Sequence, residues 1–205
     1  MTTGSGTITA ISSTTYATVA EFKAWARITS TDATDDTVIT DILDSASRVI
    51  DNETRRTFYA RTETRYYDVP ETKSLFIQDD DLLTITTLTN GDAEVLTTTD
   101  YILVPNNGYP KWAIKLKDSS TKSWEEDSDG NTEQVISIAG TWGYSASAPL
   151  DIKQACLEIA TSYYHKRFGE NMTGESTITE GGVVITPREI PASAKSILLK
   201  YARLS

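Results

Sequence analysis

The sequence predicts an α+β protein in which a bundle of about four helices is interrupted by an inserted small antiparallel β domain. Three observations carry this. Apolar residues recur at spacings of three and four from Val38 to Ile50, giving one stripe along a helix. From Thr57 onward the pattern changes to short β-branched or aromatic runs divided by turn signals. At Pro149 helical periodicity returns. The two early helices cannot bury their stripes alone, and the later ones supply the missing face. The expected layout is an N-terminal arm over 1–17, a first helical segment over 18–57, the β insertion over 58–148, and a second helical segment over 149–205.

The opening residues, Met1 to Tyr16, are rich in Thr, Ser and Gly, with Ile8 and Ile11 the only aliphatic anchors, which reads as a flexible arm. Thr18 and Glu21 have the spacing of a capping box, so a short helix is expected over Val19 to Ala26, burying Phe22 and Trp25 or Ala26. Asp35 and Asp36 then place negative charge at the start of the long helix, which reaches about Arg55 with Arg55 and Arg56 complementing its dipole. Strand candidates include Tyr66 and Tyr67, Leu75 to Ile77, Leu82 to Leu88, Tyr101 to Val104, Ala113 to Leu116 and Val135 to Ala139. Asn90-Gly91-Asp92 and Asn106-Asn107-Gly108 mark turns between them. In the third helix Ile152, Ala155, Cys156, Ile159, Ala160 and Tyr163 share a face, with Gly169 suited to close it. A polar mobile loop is expected over 170–189, then Pro191 opens a last helix.

Composition narrows the function. The chain of 205 residues carries 29 acidic and 19 basic side chains, a net charge of -10, with residues 1–150 at -11 and residues 151–205 at +1. Such a chain repels nucleic acid, so any contact with DNA is passive. No apolar run approaches the ~20 residues of a membrane helix, and the first residues have neither basic flank nor apolar run, so a soluble protein without an export signal is expected. One Cys and one His exclude an internal disulfide and a soft-ligand zinc site.

No catalytic pattern emerges along the chain. Asp79-Asp80-Asp81 and Glu125, Glu126, Asp127 and Asp129 are the acidic clusters. A calcium loop begun at Asp127 has Thr132 where the sharp turn needs Gly and Ile138 where the bidentate Glu belongs. Cys156 and His165 stand nine residues apart on one helix, about 13.5 Å at 1.5 Å per residue, too far for a nucleophile and its base. Gly140-Thr141-Trp142-Gly143-Tyr144 lacks the Lys and helix start of a phosphate loop. No enzyme, cofactor or metal is expected.

The order of short motifs is informative. Tyr16-Ala17-Thr18-Val19-Ala20-Glu21-Phe22-Lys23 is followed by Asp35-Asp36-Thr37 opening a helix that ends in Arg55-Arg56-Thr57-Phe58. Later come Gly140 to Tyr144, Pro149, Ile152-Lys153, Tyr164-His165-Lys166-Arg167, and Ile190-Pro191 before Leu198-Leu199-Lys200-Tyr201. This order resembles the head-tail connector family of long-tailed phages, also called adaptor or head-completion proteins. The insertion from Arg61 to Asn131 is longer than in the smallest members.

The resemblance implies a structural virion protein of the neck, assembled in the host cytoplasm. It implies a ring of about twelve identical subunits beneath the portal protein, with DNA passing through the channel. A downstream stopper or tail-completion protein binds below. The last helix, with Ile190, Ala194, Ile197, Leu198, Tyr201 and Leu204 on or beside its apolar stripe, is the expected portal-docking element. Two other readings compete. One is a tail or baseplate module whose β domain binds a partner or a glycan through Tyr66, Tyr67, Tyr101, Tyr109 and Trp112; the other is an acid-dyad hydrolase.

Overall fold

The computed structural model describes residues 14–77, 81–168, 177–178, 184–185 and 190–203. Most of the expected arm and most of the 170–189 loop therefore lie outside the described residues. So do Gly169 and Leu204.

The fold is α+β. Helix α1 spans Val19–Ala26 and opens with the capping box: Thr18 Oγ1 accepts from the Glu21 amide while Glu21 accepts from the Thr18 amide. Phe22 is fully buried, but Trp25 is half exposed. The buried side of this two-turn helix carries Phe22 and, next to it, Lys23. The Lys23 ammonium is held there by the Asp36 carboxylate. Helix α2, Asp36–Thr54, buries Ile39, Ile42, Leu43, Ala46 and Ile50 along the expected stripe. Arg55 ends it in the left-handed conformation, φ 52°.

Strand β1 is Arg61–Tyr67, β2 Ser74–Phe76, β3 Leu82–Thr89, β4 Val95–Leu96, β5 Tyr101–Val104, β6 Ala113–Leu116 and β7 Ile136–Trp142. They form two antiparallel sheets, β1-β7-β3-β4 and β2-β6-β5. Alternate residues of β7 point inward, and Ile136, Ile138 and Trp142 join Leu82, Leu88, Ile114 and Leu116 in one cluster drawn from both sheets. Strand β7 runs three residues beyond its expected end because Gly140 allows the centre of the sheet to close. A Cβ there would lie 2.2 Å from the Thr84 carbonyl oxygen.

Helix α3, Leu150–Phe168, and helix α4, Ala192–Tyr201, return the chain to the first two helices. Ile152, Ala155, Cys156, Ile159 and Ala160 pack with Phe22, the α2 stripe, Ala194 and Leu198. Phe58 lies in this helical cluster, not among the strands with which its place in the sequence groups it. It is ringed by Tyr16, Tyr144 and Tyr201 at centroid distances of 5.7, 5.3 and 5.4 Å. A short antiparallel pair, β8 (Thr177–Ile178) with β9 (Val184–Ile185), completes the described elements.

Tyr16 fastens the start of the described chain. Its amide donates to Ser47 Oγ at 3.0 Å, and its hydroxyl donates to Asp51 and accepts from the Phe58 amide at 2.9 Å. Burial raises the Tyr16 hydroxyl above its ordinary value. Tyr16→Phe leaves a carboxylate and a backbone amide without this partner, so a loss of about 1–3 kcal/mol is expected in denaturant unfolding. The carboxyl of Asp51 is raised by burial, against the opposing pull of Tyr16 and Arg48. A raised native value means that the folded state holds the proton more tightly. Its contribution is complete below the unfolded value of about 3.9 and is lost as pH rises through the native value. In Asp51→Asn that part of the pH dependence should disappear.

Candidate functional site: the seam between helices and sheets

The two halves are joined around a buried acid. Asp81 immediately precedes β3 and is 2% exposed. Arg56, two residues past α2, donates from Nη1 to both Asp81 oxygens at 2.6 and 2.8 Å. Arg203, beyond α4, donates from Nη2 to Oδ1 at 2.5 Å. A carboxylate this buried is tolerable only with such partners. Backbone bonds run alongside. The amide of Gly143 donates to the Asp81 carbonyl at 2.7 Å, that of Tyr144 to Thr57 at 2.8 Å, and that of Arg203 to Thr54 at 3.0 Å. At Gly143 φ is +134°, and a Cβ would lie 2.3 Å from the Tyr59 carbonyl oxygen, which accounts for the glycine.

This cluster also sets the pose of the last helix. Arg56 Nε donates to the Tyr201 carbonyl at 2.7 Å, and the Tyr201 hydroxyl donates to Asp151 at 2.8 Å. Burial and that bond push the Tyr201 hydroxyl up to about 12. Of the residues expected to dock the portal, the five that are described pack within the subunit. Ala194 and Leu198 are buried in the helical core, and Ile190, Ile197 and Tyr201 are half-buried against it. The apolar stripe of α4 is therefore satisfied by α2 and α3. The helix offers solvent its other side, where Lys195, Leu199 and Lys200 are exposed. Leu199 is 68% exposed, a large apolar side chain in water.

Beside the clamp lies a groove of about 420 Å³ running from Arg56, Asp81 and Arg203 to Pro110 and Trp112. Of the aromatics named for glycan binding, Tyr109 and Trp112 are exposed here, whereas Tyr66 is exposed on the other sheet. Tyr101 is buried, and Tyr67 stacks on Trp142. They do not share one face.

The acidic clusters and the Cys–His pair are likewise placed. Asp81 is engaged by arginines, and Asp79 and Asp80 lie outside the described residues. Asp127 accepts from the amides of Asp129 and Asn131 at 2.9 and 2.8 Å, so its loop is a self-bonded turn. Among the described residues no three His, Cys, Asp or Glu side chains converge as metal ligands. Cys156 is buried against Ser47 Oγ at 3.6 Å, its thiol raised by burial, while His165 is exposed.

Residues 15–204 match the family model described as Head completion protein. The chain belongs to the head completion protein family. As a head completion protein it is a structural head-tail connector. Its fold is similar to that of a chain in the neck of an empty GTA particle computed with C6 symmetry, at TM-score 0.62 and 17% identity, covering 95% of this chain and 94% of that one. A second similarity is to a chain in the neck of a native GTA particle computed with C12 symmetry, at TM-score 0.58 and 17% identity over 91% and 88% of the chains. A third is to a chain in the virion of a native gene transfer agent particle, at TM-score 0.57 and 17% identity over 93% and 91%. No curated protein sequence matches the chain.

The Arg56–Asp81–Arg203 clamp of this head completion protein is absent from the sequence-based expectations. Arg56 reads there as a complement to the helix dipole and Asp81 as one acid in a run of three. Their separation of 25 positions, and that of 122 between Asp81 and Arg203, leaves no local pattern to read.

Proposed function

We propose that the protein assembles as a closed ring of about twelve identical subunits docked on the portal protein in the virion neck. The ring extends the DNA channel and presents a surface to a downstream stopper or tail-completion protein. It acts by contact, not by catalysis, and is built in the host cytoplasm. The observation that carries this reading is the family match over residues 15–204, supported by the likeness in fold to neck subunits from particles with C6 and C12 symmetry. The acid-rich chain suits a channel whose wall does not hold passing phosphates.

In this reading α4 docks the portal with its solvent side, because Ala194 and Leu198 are committed to the core. The Asp81 clamp fixes that helix against the sheets, so a contact at the portal is transmitted to the β half by a rigid joint. Light scattering of the protein with and without purified portal ring tests the docking. A mass increase of several subunits per portal is expected, and no association at micromolar concentration refutes the proposal.

A further inference from the structure

Strand partners in direct register share a face of a sheet. Phe76, Ala113 and Val104 are in register, as are Ser74, Lys115 and Ile102, so these residues line the face of β2-β6-β5 turned away from the buried cluster. That face is unusually apolar for one in water. Phe76 is 51% and Trp112 50% exposed, and their rings stack at 5.9 Å with an interplanar angle of 5°. Tyr109 stands at the same end, its ring 4.4 Å from the Lys111 ammonium. The group is held in place: the Trp112 amide donates to Val104, the Ile77 amide to Trp112, and Lys111 Nζ to the Pro105 carbonyl at 2.6 Å. Large rings fixed in parallel and left wet mark an interaction surface.

Charge identifies the occupant. The chain carries -10, so a second copy is repelled from most approaches. Segment 101–117, which supplies most of this surface, contains no Asp or Glu, and of its three lysines Lys115 and Lys117 are partly exposed while Lys111 is buried. Just beyond it, Asp118 pairs with Lys73 at 3.3 Å and Lys115 at 3.9 Å, and it is 80% exposed. An acidic surface can approach here and add to that pair. A two-fold contact would set lysines against lysines, whereas a head-to-tail contact sets them against acids, and head-to-tail contacts are the kind that close rings.

Resting on the ring reading above, we infer that the aromatic, lysine-flanked face of β2-β6-β5 is the surface by which one copy of this chain grips an acidic face of the next copy. The stacked Phe76 and Trp112 supply the anchor, and the lysines set the direction.

A benzophenone amino acid placed at position 112 of the full chain, in assembled particles, tests this. Irradiation should give a covalent dimer of this chain, identified by mass spectrometry of its peptides. An adduct to a different neck protein, or no adduct, overturns the assignment. Imaging of the neck counts copies of the chain independently, so a ring in which position 112 faces elsewhere preserves the ring reading and removes this surface. In a second arm, Phe76→Ser with Trp112→Ser should keep the thermal midpoint within a few degrees and lower the copies per particle at least tenfold, the scale on which paired aromatic anchors act. Wild-type incorporation of that variant also overturns the inference.

Discussion

Asp81→Ala is expected to lower the unfolding free energy by about 3–5 kcal/mol, the range for removing one partner of a buried ion pair. The cost arises because Arg56 and Arg203, with side chains only 19% and 20% exposed, lose the carboxylate they share. Asp81→Asn should recover part of the loss, since an amide oxygen still accepts a hydrogen bond but carries no charge. Asp118 is the control. It also bridges two cations, but at 80% exposure its replacement by alanine should change stability by no more than about 0.5 kcal/mol. Urea unfolding of the three variants checks the ranking; equal effects at positions 81 and 118 would deny the clamp its role in holding the two halves together.

Leu198 and Leu199 are adjacent on α4 and should behave as opposites. Leu198 is 2% exposed within the helical core, so Leu198→Ala should cost about 2–5 kcal/mol through lost burial and a cavity. Leu199→Ala removes a side chain 68% exposed, and stability should move by no more than about 0.5 kcal/mol. Portal binding should respond in reverse. Leu199→Ala should weaken it roughly tenfold if the solvent side of α4 docks, the effect of losing one well-buried interface side chain. Titration calorimetry with portal ring, run beside thermal melts, separates the two. The same geometry implies that deleting 193–205 unfolds the helical half, because Ala194 and Leu198 leave with it.

Elements whose cause is local are visible in the sequence, and those whose cause is tertiary are not. The capping box Thr18–Glu21 and the α2 stripe follow from spacing alone, and both occur at the expected residues. The β insertion is readable as a region because its runs are short and separated by turns. Its division into two sheets depends on pairings such as β1 with β7, where partners run from Tyr67 with Ile136 to Arg61 with Trp142, which no local pattern encodes. Phe58 reads as the start of the strands because it follows a helix end, yet three distant tyrosines draw it into the helical core. The α4 stripe is legible as a stripe. What covers it is not, since an apolar face looks the same in sequence whether it meets another subunit or α3.

Electron cryomicroscopy of the intact virion neck, with this chain tagged, examines the proposed ring most directly. A closed ring of about twelve tagged subunits should lie immediately below the portal, with α4 toward the portal and the channel at the centre. Finding the chain only in the tail or baseplate, or as isolated copies beside the neck, would refute it.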